Sequence, residues 1–211
     1  MNFDAGLRPS APASGRALNN RLARSTIGAD ARGVATSLRI RIADPHDAIQ
    51  LAILKESWSN LDCPATEAEL AEFAEELRRW MQERNDAVTC AVAELDGILI
   101  GMAWLVVFER VPDIYDTRRL TGDIQSVFVQ QGHRSRGIGK QLVRALTATA
   151  DALGIPQITV SANAPSAPMY EALGFRETPL LLERSARYSV DIDDHGELND
   201  PQSSSCLTAK V

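Results

Sequence analysis

The feature that most constrains this chain is a junction in which an apolar strand runs through a glycine- and arginine-rich loop directly into an amphipathic helix. It spans residues 127–142 and reads Val-Phe-Val-Gln-Gln-Gly-His-Arg-Ser-Arg-Gly-Ile-Gly-Lys-Gln-Leu. The first N–H groups of a helix lack intrahelical acceptors, and the helix dipole adds about half a positive charge there. Because glycines let a ligand approach the main chain closely, the junction predicts a phosphate-binding site.

Two common phosphate-binding motifs do not fit this junction. Gly132 and Gly137 have the spacing of a P-loop, but Ile138 and Gly139 stand where that loop needs Lys and Ser or Thr. The dinucleotide fingerprint needs a third glycine, and Leu142 occupies that position. The sequence therefore excludes a P-loop nucleotidase and a Rossmann dinucleotide site.

The remaining pattern, Arg134-x-x-Gly137-x-Gly139, is followed at a suitable distance by a second motif. An apolar run at residues 158–162 leads to Asn163 and then to Met-Tyr-Glu-Ala-Leu-Gly-Phe at residues 169–175. The pair of motifs resembles the GCN5-related N-acetyltransferase (GNAT) family, whose pyrophosphate loop reads R/Q-x-x-G-x-G/A and whose later segment reads Asn, a short gap, and Leu-Tyr-Glu-x-Leu-Gly-Phe. The resemblance implies N-acetyltransferase activity with acetyl-coenzyme A as the co-substrate.

The resemblance also implies which residues contact the co-substrate. They lie on the strand, in the loop, at the start of the helix and before the second motif: Val127, Phe128, Val129, Arg134, Ser135, Arg136, Gly137, Ile138, Gly139, Lys140 and Asn163. The amides of residues 136–140 would hold the pyrophosphate, the Val127 N–H would reach the thioester oxygen, and Asn163 would bond the pantetheine. Ser135 stands where relatives often have glycine, which is tolerated if its φ is negative.

Two residues are candidates for proton transfer. Tyr170, with an ordinary pKa of about 10, is protonated at neutral pH and is the candidate general acid for the leaving thiolate. By the resemblance, Asp123 lies where relatives that act on lysine side chains carry a glutamate base, and Glu109 or a water chain are the alternatives. Taken alone, Tyr170 would be a core aromatic and Asn163 a turn residue. Pro168 is compatible with a helix at Tyr170 only within the first turn.

Local patterns place the other elements. Strands are predicted at residues 38–42, 87–95, 98–108 and 123–130, with a long loop at 110–122. Asp44-Pro45 and the capping box Thr66–Glu69 predict two helix starts, and Asp96-Gly97 predicts a two-residue hairpin turn. After the glycine loop, one helix face is predicted to be buried, with apolar positions Ile138, Leu142, Ala145, Leu146, Ala150 and Leu153.

The expected fold class is α/β with a mixed sheet. The hairpin strands should be antiparallel, and the helix after the loop should join two parallel strands by a right-handed crossover. Helices then cover both faces. The resemblance implies the GNAT fold, in which the last two strands splay apart and the pantetheine arm enters the gap.

Composition supports one domain at residues 37–190, with a flexible segment at 1–36 and an acidic, disordered tail at 191–211. A net charge of −6 and a pI near 5.1 argue against a nucleic-acid surface, and the longest apolar run is too short to cross a bilayer. Three cysteines without C-x-x-C spacing suggest neither a disulfide framework nor a metal site, which fits the cytoplasm. A homodimer remains open.

The acceptor is the least determined part. Five glutamates of the second helix and three residues of the long loop favour a small cationic amine: Glu67, Glu69, Glu72, Glu75, Glu76, Asp113, Tyr115 and Asp116. These acids are equally explained as a solvated face. A protein N-terminus or lysine is the alternative acceptor, and a non-catalytic acyl-CoA sensor is the alternative class of function.

Overall fold

Six strands form one mixed sheet whose spatial order follows the order in the chain. The computed structural model describes residues 24–26, 37–59 and 63–178. The strands are β1 Arg24–Thr26, β2 Ser37–Ile42, β3 Val88–Leu95, β4 Ile98–Glu109, β5 Leu120–Val129 and β6 Ile158–Val160. Neighbours pair antiparallel except β5 and β6, which are parallel. The predicted mixed sheet with a parallel final pair is confirmed.

The predicted flanking segments are mostly outside the described residues. β1 belongs to the segment 1–36 that the sequence predicts to be flexible, and it pairs with β2. The rest of that segment and the predicted acidic tail at 191–211 lie outside the described residues.

Helices cover both faces of the sheet because strand side chains alternate between two cores. The helices are α1 Ala48–Ser59, α2 Glu67–Glu83, α3 Ile138–Ala152 and α4 Ala167–Glu171. On β3, Ala91 and Ala93 belong to the core that includes α3, whereas Cys90 and Val92 belong to the core that includes α1 and α2. The sheet therefore separates two apolar layers, as predicted.

The two predicted helix starts and the predicted hairpin turn are present in the structure. Asp44 caps a short 3-10 turn at Pro45–Asp47 that leads into α1, and Thr66 and Glu69 form the capping box of α2. Asp96 and Gly97 have φ of 50° and 86°, the left-handed pair that a two-residue hairpin turn needs.

Two sequence predictions are wrong in detail. β5 begins at Leu120 rather than at residue 123, because its first residues pair with the end of β4, where Glu109 lies opposite Leu120. Gly122 sits inside the strand because a Cβ there would lie 2.8 Å from Ile158 Cγ2. Leu153, assigned to the buried helix face, is 50% exposed because it lies just past the end of α3.

The strand before the glycine loop carries a bulge. Met102 pairs with Phe128 whereas Trp104 pairs with Gln125, so β5 has one residue more than β4 between these pairs. Ser126 in the bulge has φ of 49°. The bulge reorients the end of β5 just before it enters the loop.

β5 and β6 share only a short ladder. It runs from Gly122–Ile158 to Ile124–Val160. Among the described residues, no β6 partner exists for the stretch Gln125–Val129. The main chain at this edge is therefore available to an extended ligand, since strand N–H and C=O groups require partners.

Candidate active site

The N-terminus of α3 offers main-chain donors. Gly137 is the N-cap residue with φ of 74°, and the first helical hydrogen bond runs from Gln141 N to the Gly137 carbonyl at 3.1 Å. No side chain caps this end. The N–H groups of residues 138–140 therefore lack intrahelical acceptors and can receive an anion.

The two loop arginines have different surroundings. Arg134 Nε donates to the Val129 carbonyl at 2.9 Å, and its guanidinium lies 5.6 Å from the Phe128 ring centroid. Arg136 is exposed and has no ion-pair partner among the described residues. Arg134 thus braces the loop against β5, whereas the Arg136 side chain is available to a ligand.

Ser135 does not meet the condition under which the sequence accepts it. Its φ is +60°, so the residue occupies the left-handed region that favours glycine. A side chain in this conformation costs about 1 kcal/mol.

Tyr170 is buried on α4 beside the loop. It is 6% exposed, and its ring meets Phe175 edge-on at a centroid distance of 5.6 Å. Burial raises the pKa of its hydroxyl. A Cβ at Gly139 would lie 3.5 Å from Met169 Sδ, so α4 packs against the start of α3.

Asn163 shapes the turn before α4. Its Oδ1 accepts a hydrogen bond from Ser166 N at 3.1 Å, and its carbonyl accepts one from Ala167 N at 3.1 Å. Its side-chain NH2 remains without an acceptor in residues 37–59 and 63–178. Pro168 lies within the first turn of α4, which is the only place where the sequence allows it.

Asp123 is held by two side chains. Its carboxylate accepts hydrogen bonds from Gln125 Nε2 at 2.8 Å and from Thr159 Oγ1 at 2.9 Å. Asp123 pairs with Val106 of β4, so the two side chains share one face of the sheet. Glu109, the alternative base, is exposed at the far end of β4.

A cavity of about 460 Å³ lies between α2 and that face of the sheet. We call it the helix–sheet cavity. Its lining comes from α1, α2, β4 and the bulge of β5, and comprises Lys55, Phe73, Glu76, Leu77, Arg79, Trp80, Glu83, Trp104, Val106, Gln125 and Ser126. Trp80 and Trp104 meet edge-on at a centroid distance of 5.8 Å. The size and aromatic lining suit a small-molecule ligand.

Comparisons with known proteins identify the family. The model of the acetyltransferase (GNAT) family matches residues 53–175. The chain belongs to the GNAT family. It is 30% identical over 114 residues to the glucosamine 6-phosphate N-acetyltransferase of Trypanosoma brucei brucei, an alignment that covers 54% of this chain and 72% of that protein.

Solved GNAT structures share the fold. The glucosamine-6-phosphate N-acetyltransferase of Arabidopsis thaliana superposes with a TM-score of 0.58 at 15% identity, covering 70% of this chain and 97% of that one. A predicted acetyltransferase of Clostridium acetobutylicum, solved with acetyl-CoA, superposes with a TM-score of 0.54 at 21% identity, covering 70% of this chain and 96% of that one. The likeness establishes the GNAT fold for this chain.

Sequence reasoning missed Lys55, Trp104 and Ser126, which line the helix–sheet cavity of this GNAT protein. Lys55 Nζ donates to Ser126 Oγ at 2.8 Å and lies 5.9 Å from the Trp104 ring centroid. Burial lowers the pKa of Lys55. The signal in the sequence is weak: Lys55 follows the fully buried Leu51 by four residues, which puts a lysine on the buried side of a helix.

The acidic face of α2 is only partly a lining of this GNAT cavity. Glu76 lines it, whereas Glu69 closes the capping box and Glu75 pairs with Arg78. The Asp113 and Asp116 carboxylates accept hydrogen bonds from Ile114 N and Arg118 N within the loop after β4. The acids named from the sequence therefore serve several purposes.

Two kinds of feature are absent from residues 24–26, 37–59 and 63–178. No group of three or more His, Cys, Asp or Glu side chains there has the arrangement of a metal site. None of the helices there is long and apolar enough to cross a bilayer.

Proposed function

We propose that this protein transfers an acetyl group from acetyl-CoA to the primary amine of a small acceptor by direct attack within a ternary complex. The observation that carries the proposal is the junction of β5 with α3. Three first-turn N–H groups at residues 138–140 lack intrahelical acceptors beside a strand edge that β6 leaves unpaired. The acetyl-CoA bound to the similar Clostridium acetobutylicum protein supports this choice of donor.

The co-substrate would bind mostly through main-chain groups. The amides of residues 136–140 would hold the pyrophosphate, with the exposed Arg136 and the Lys140 side chain adding positive charge. The edge Val127–Val129 would hydrogen-bond the pantetheine arm as an added strand does. Asn163 would donate its free NH2 to a pantetheine carbonyl, since its Oδ1 already accepts from Ser166.

The reaction has three requirements: the amine must lose a proton, the oxyanion must be stabilised and the leaving thiolate must be protonated. The neutral amine attacks the thioester carbonyl, and the Val127 N–H would stabilise the oxyanion that forms. The C–S bond then breaks, and the Tyr170 hydroxyl would give its proton to the leaving thiolate. Because burial raises the pKa of Tyr170, the hydroxyl keeps this proton at neutral pH.

Asp123 is our choice for the group that receives the proton of the amine. It lies on the sheet face that carries the helix–sheet cavity, two residue pairs along the ladder from Trp104 and Gln125. Its two hydrogen bonds to Gln125 and Thr159 fix the carboxylate, so a water molecule would relay the proton. The exposed Glu109 is farther along β4 and is the weaker candidate.

The cavity supports a small acceptor over a protein chain. A volume of about 460 Å³ with three aromatic side chains, Phe73, Trp80 and Trp104, suits a sugar- or amino-acid-sized amine. The name of the Trypanosoma brucei brucei relative, a glucosamine 6-phosphate N-acetyltransferase, points to the same size class.

The test is a screen of primary amines with detection of released thiol. We expect acetyl-CoA to bind with 1:1 stoichiometry in calorimetry and at least one small amine to release coenzyme A above the hydrolysis rate. Peptides with a free N-terminus or an internal lysine form the comparison set. Binding of acetyl-CoA without turnover of any amine would favour the sensor, and turnover of peptides alone would favour a protein acceptor.

A further inference from the structure

Lys55 is a half-buried cation on the sheet side of the helix–sheet cavity. It projects from α1, and the hydrogen bond from its Nζ to Ser126 Oγ at 2.8 Å joins residues 71 positions apart. Ser126 is the bulge residue next to Val127, which we expect to face the thioester. Lys55 is therefore fixed close to the expected position of the reacting groups.

The charge of Lys55 has no carboxylate partner among the described residues. No Asp or Glu there lies within ion-pair distance of Nζ. Its compensation comes from one hydroxyl and from two indole rings, with centroids at 5.1 Å for Trp58 and 5.9 Å for Trp104. Burial without a counter-ion also lowers the pKa of the ammonium, which marks an incompletely compensated charge.

Arg41 shows how this chain treats a partly buried cation in a structural role. Its guanidinium pairs with Asp47 at 2.6 Å and with Glu94 at 2.6 Å. Lys55 has no such carboxylate partner among the described residues, and it lines the helix–sheet cavity, which can receive a ligand. Because a cation of this kind favours an anion, the difference suggests that the partner arrives with the substrate.

We propose that Lys55 binds an anionic group of the acceptor, so that the substrate is a small primary amine that also carries a carboxylate or a phosphate. This inference rests on the proposed acetyl transfer. The hydroxyl of Ser126, which accepts from Lys55 Nζ, is a neutral donor beside it that would complete the anion site.

Matched pairs of acceptors test the proposal. Each pair differs only in the anion: glucosamine 6-phosphate with glucosamine, and amino acids with their amides. Kinetics at saturating acetyl-CoA are measured for the wild type, Lys55→Met, Lys55→Arg and Arg39→Met. Arg39 is exposed on β2 and lines no part of the cavity, so Arg39→Met controls for the loss of one positive charge.

We expect the wild type to prefer the anionic member of at least one pair by about tenfold or more in kcat/KM, because a hydrogen bond to a charged group contributes that much. Lys55→Met should raise KM for that member by about tenfold and leave the neutral member within about twofold, and Lys55→Arg should recover part of the loss. The phosphate and amino-acid pairs tell which anion the site takes. Equal loss of kcat for both members would assign Lys55 to proton transfer or folding and overturn the proposal.

A binding measurement separates this inference from the proposed function. Inorganic phosphate is titrated by calorimetry into protein whose loop is already filled with coenzyme A. Binding to the wild type and Lys55→Arg, but not to Lys55→Met, supports the anion site even if no amine is acetylated. Identical binding to all variants overturns it, whereas failure of coenzyme A itself to bind counts against the acetyltransferase assignment of the loop.

Discussion

The glycine loop and the helix–sheet cavity are built in opposite ways. The loop and its flanking strand and helix form one continuous segment, residues 127–140, and its binding groups are main-chain N–H donors. The cavity is assembled from α1, α2, β4 and β5, and its binding groups are side chains such as Lys55 and Trp104. A donor site made of backbone tolerates many sequences, whereas an acceptor site made of side chains can change with each substitution.

This difference makes the two sites separable in experiments. Substitutions in the loop should act on acetyl-CoA affinity, and substitutions in the cavity should act on the acceptor alone. The two regions meet at the bulge, where Ser126 accepts from Lys55 and the next residue, Val127, begins the proposed co-substrate edge. Only residues beside the reacting atoms should affect kcat for every acceptor.

The largest effect is expected for Gly139→Glu in the loop. It should weaken acetyl-CoA binding by about 100-fold or more, because a carboxylate would stand against the pyrophosphate at the start of α3. Isothermal titration calorimetry measures the affinity. Gly139→Ala is the control, since its Cβ would meet Met169 Sδ at 3.5 Å, an ordinary contact. Undiminished affinity of a folded Gly139→Glu protein would remove the loop from the donor site.

The next largest effect is expected for Tyr170→Phe, which tests the residue beside the reacting atoms. We expect kcat to fall by about 100-fold, the lower range for loss of a general acid, and acetyl-CoA affinity to stay within about threefold. The ring and its edge-on contact with Phe175 at 5.6 Å are retained, so folding should not change. Pre-steady-state and steady-state thiol release give the rates. An unaltered kcat would make Tyr170 a packing residue.

The pH dependence of the same pair of proteins sharpens the test. Burial raises the pKa of Tyr170 above its ordinary value of about 10. The hydroxyl therefore stays protonated, and able to donate its proton, at least up to about pH 10. The wild-type kcat should therefore show no alkaline decline from Tyr170 below about pH 10. A decline centred near neutral pH that disappears in Tyr170→Phe would contradict this assignment.

The strand–loop–helix junction and the other local elements could be predicted from sequence because their signals are local. The helix start after the glycine loop, the capping box at Thr66 and the Asp96-Gly97 turn all depend on residues within a few positions. Main-chain geometry leaves a pattern in the sequence because specific residue types are needed where φ is positive or a donor must be satisfied.

The cavity half could not be predicted because its partners are distant in sequence. The role of Lys55 depends on Ser126, which lies 71 positions away. The spacing of apolar residues did not indicate which side of α1 is buried. Ile49 and Ile53 are 46% and 43% exposed, whereas Leu51 and Leu54 are fully buried. A helix with apolar residues on most sides carries no directional signal. The early start of β5 was missed because glycine and threonine there have the composition of a loop.

Trp104→Phe tests the cavity alone. It removes the buried, unpaired indole N–H and weakens the aromatic contacts to Trp80 and Lys55. We expect the acceptor KM to rise by about fivefold, the equivalent of about 1 kcal/mol, with acetyl-CoA affinity unchanged. Steady-state kinetics with each substrate varied in turn give both values. If acetyl-CoA affinity falls as much as acceptor affinity, the two sites are not separable.

The smallest expected effect is that of Ser135→Gly, which tests whether the loop is strained. Glycine relieves the positive φ of 60° at this position but makes the unfolded chain more flexible, so the free energy of unfolding should rise by less than about 1 kcal/mol. Urea denaturation measures it, and acetyl-CoA affinity should stay within about twofold, because the N–H groups of α3 are untouched. Ser135→Val is the matched opposite, since a β-branched residue fits the left-handed region poorly and should lower stability by about 1 kcal/mol. Equal stability of the glycine and valine proteins would mean that residue 135 does not hold the left-handed conformation.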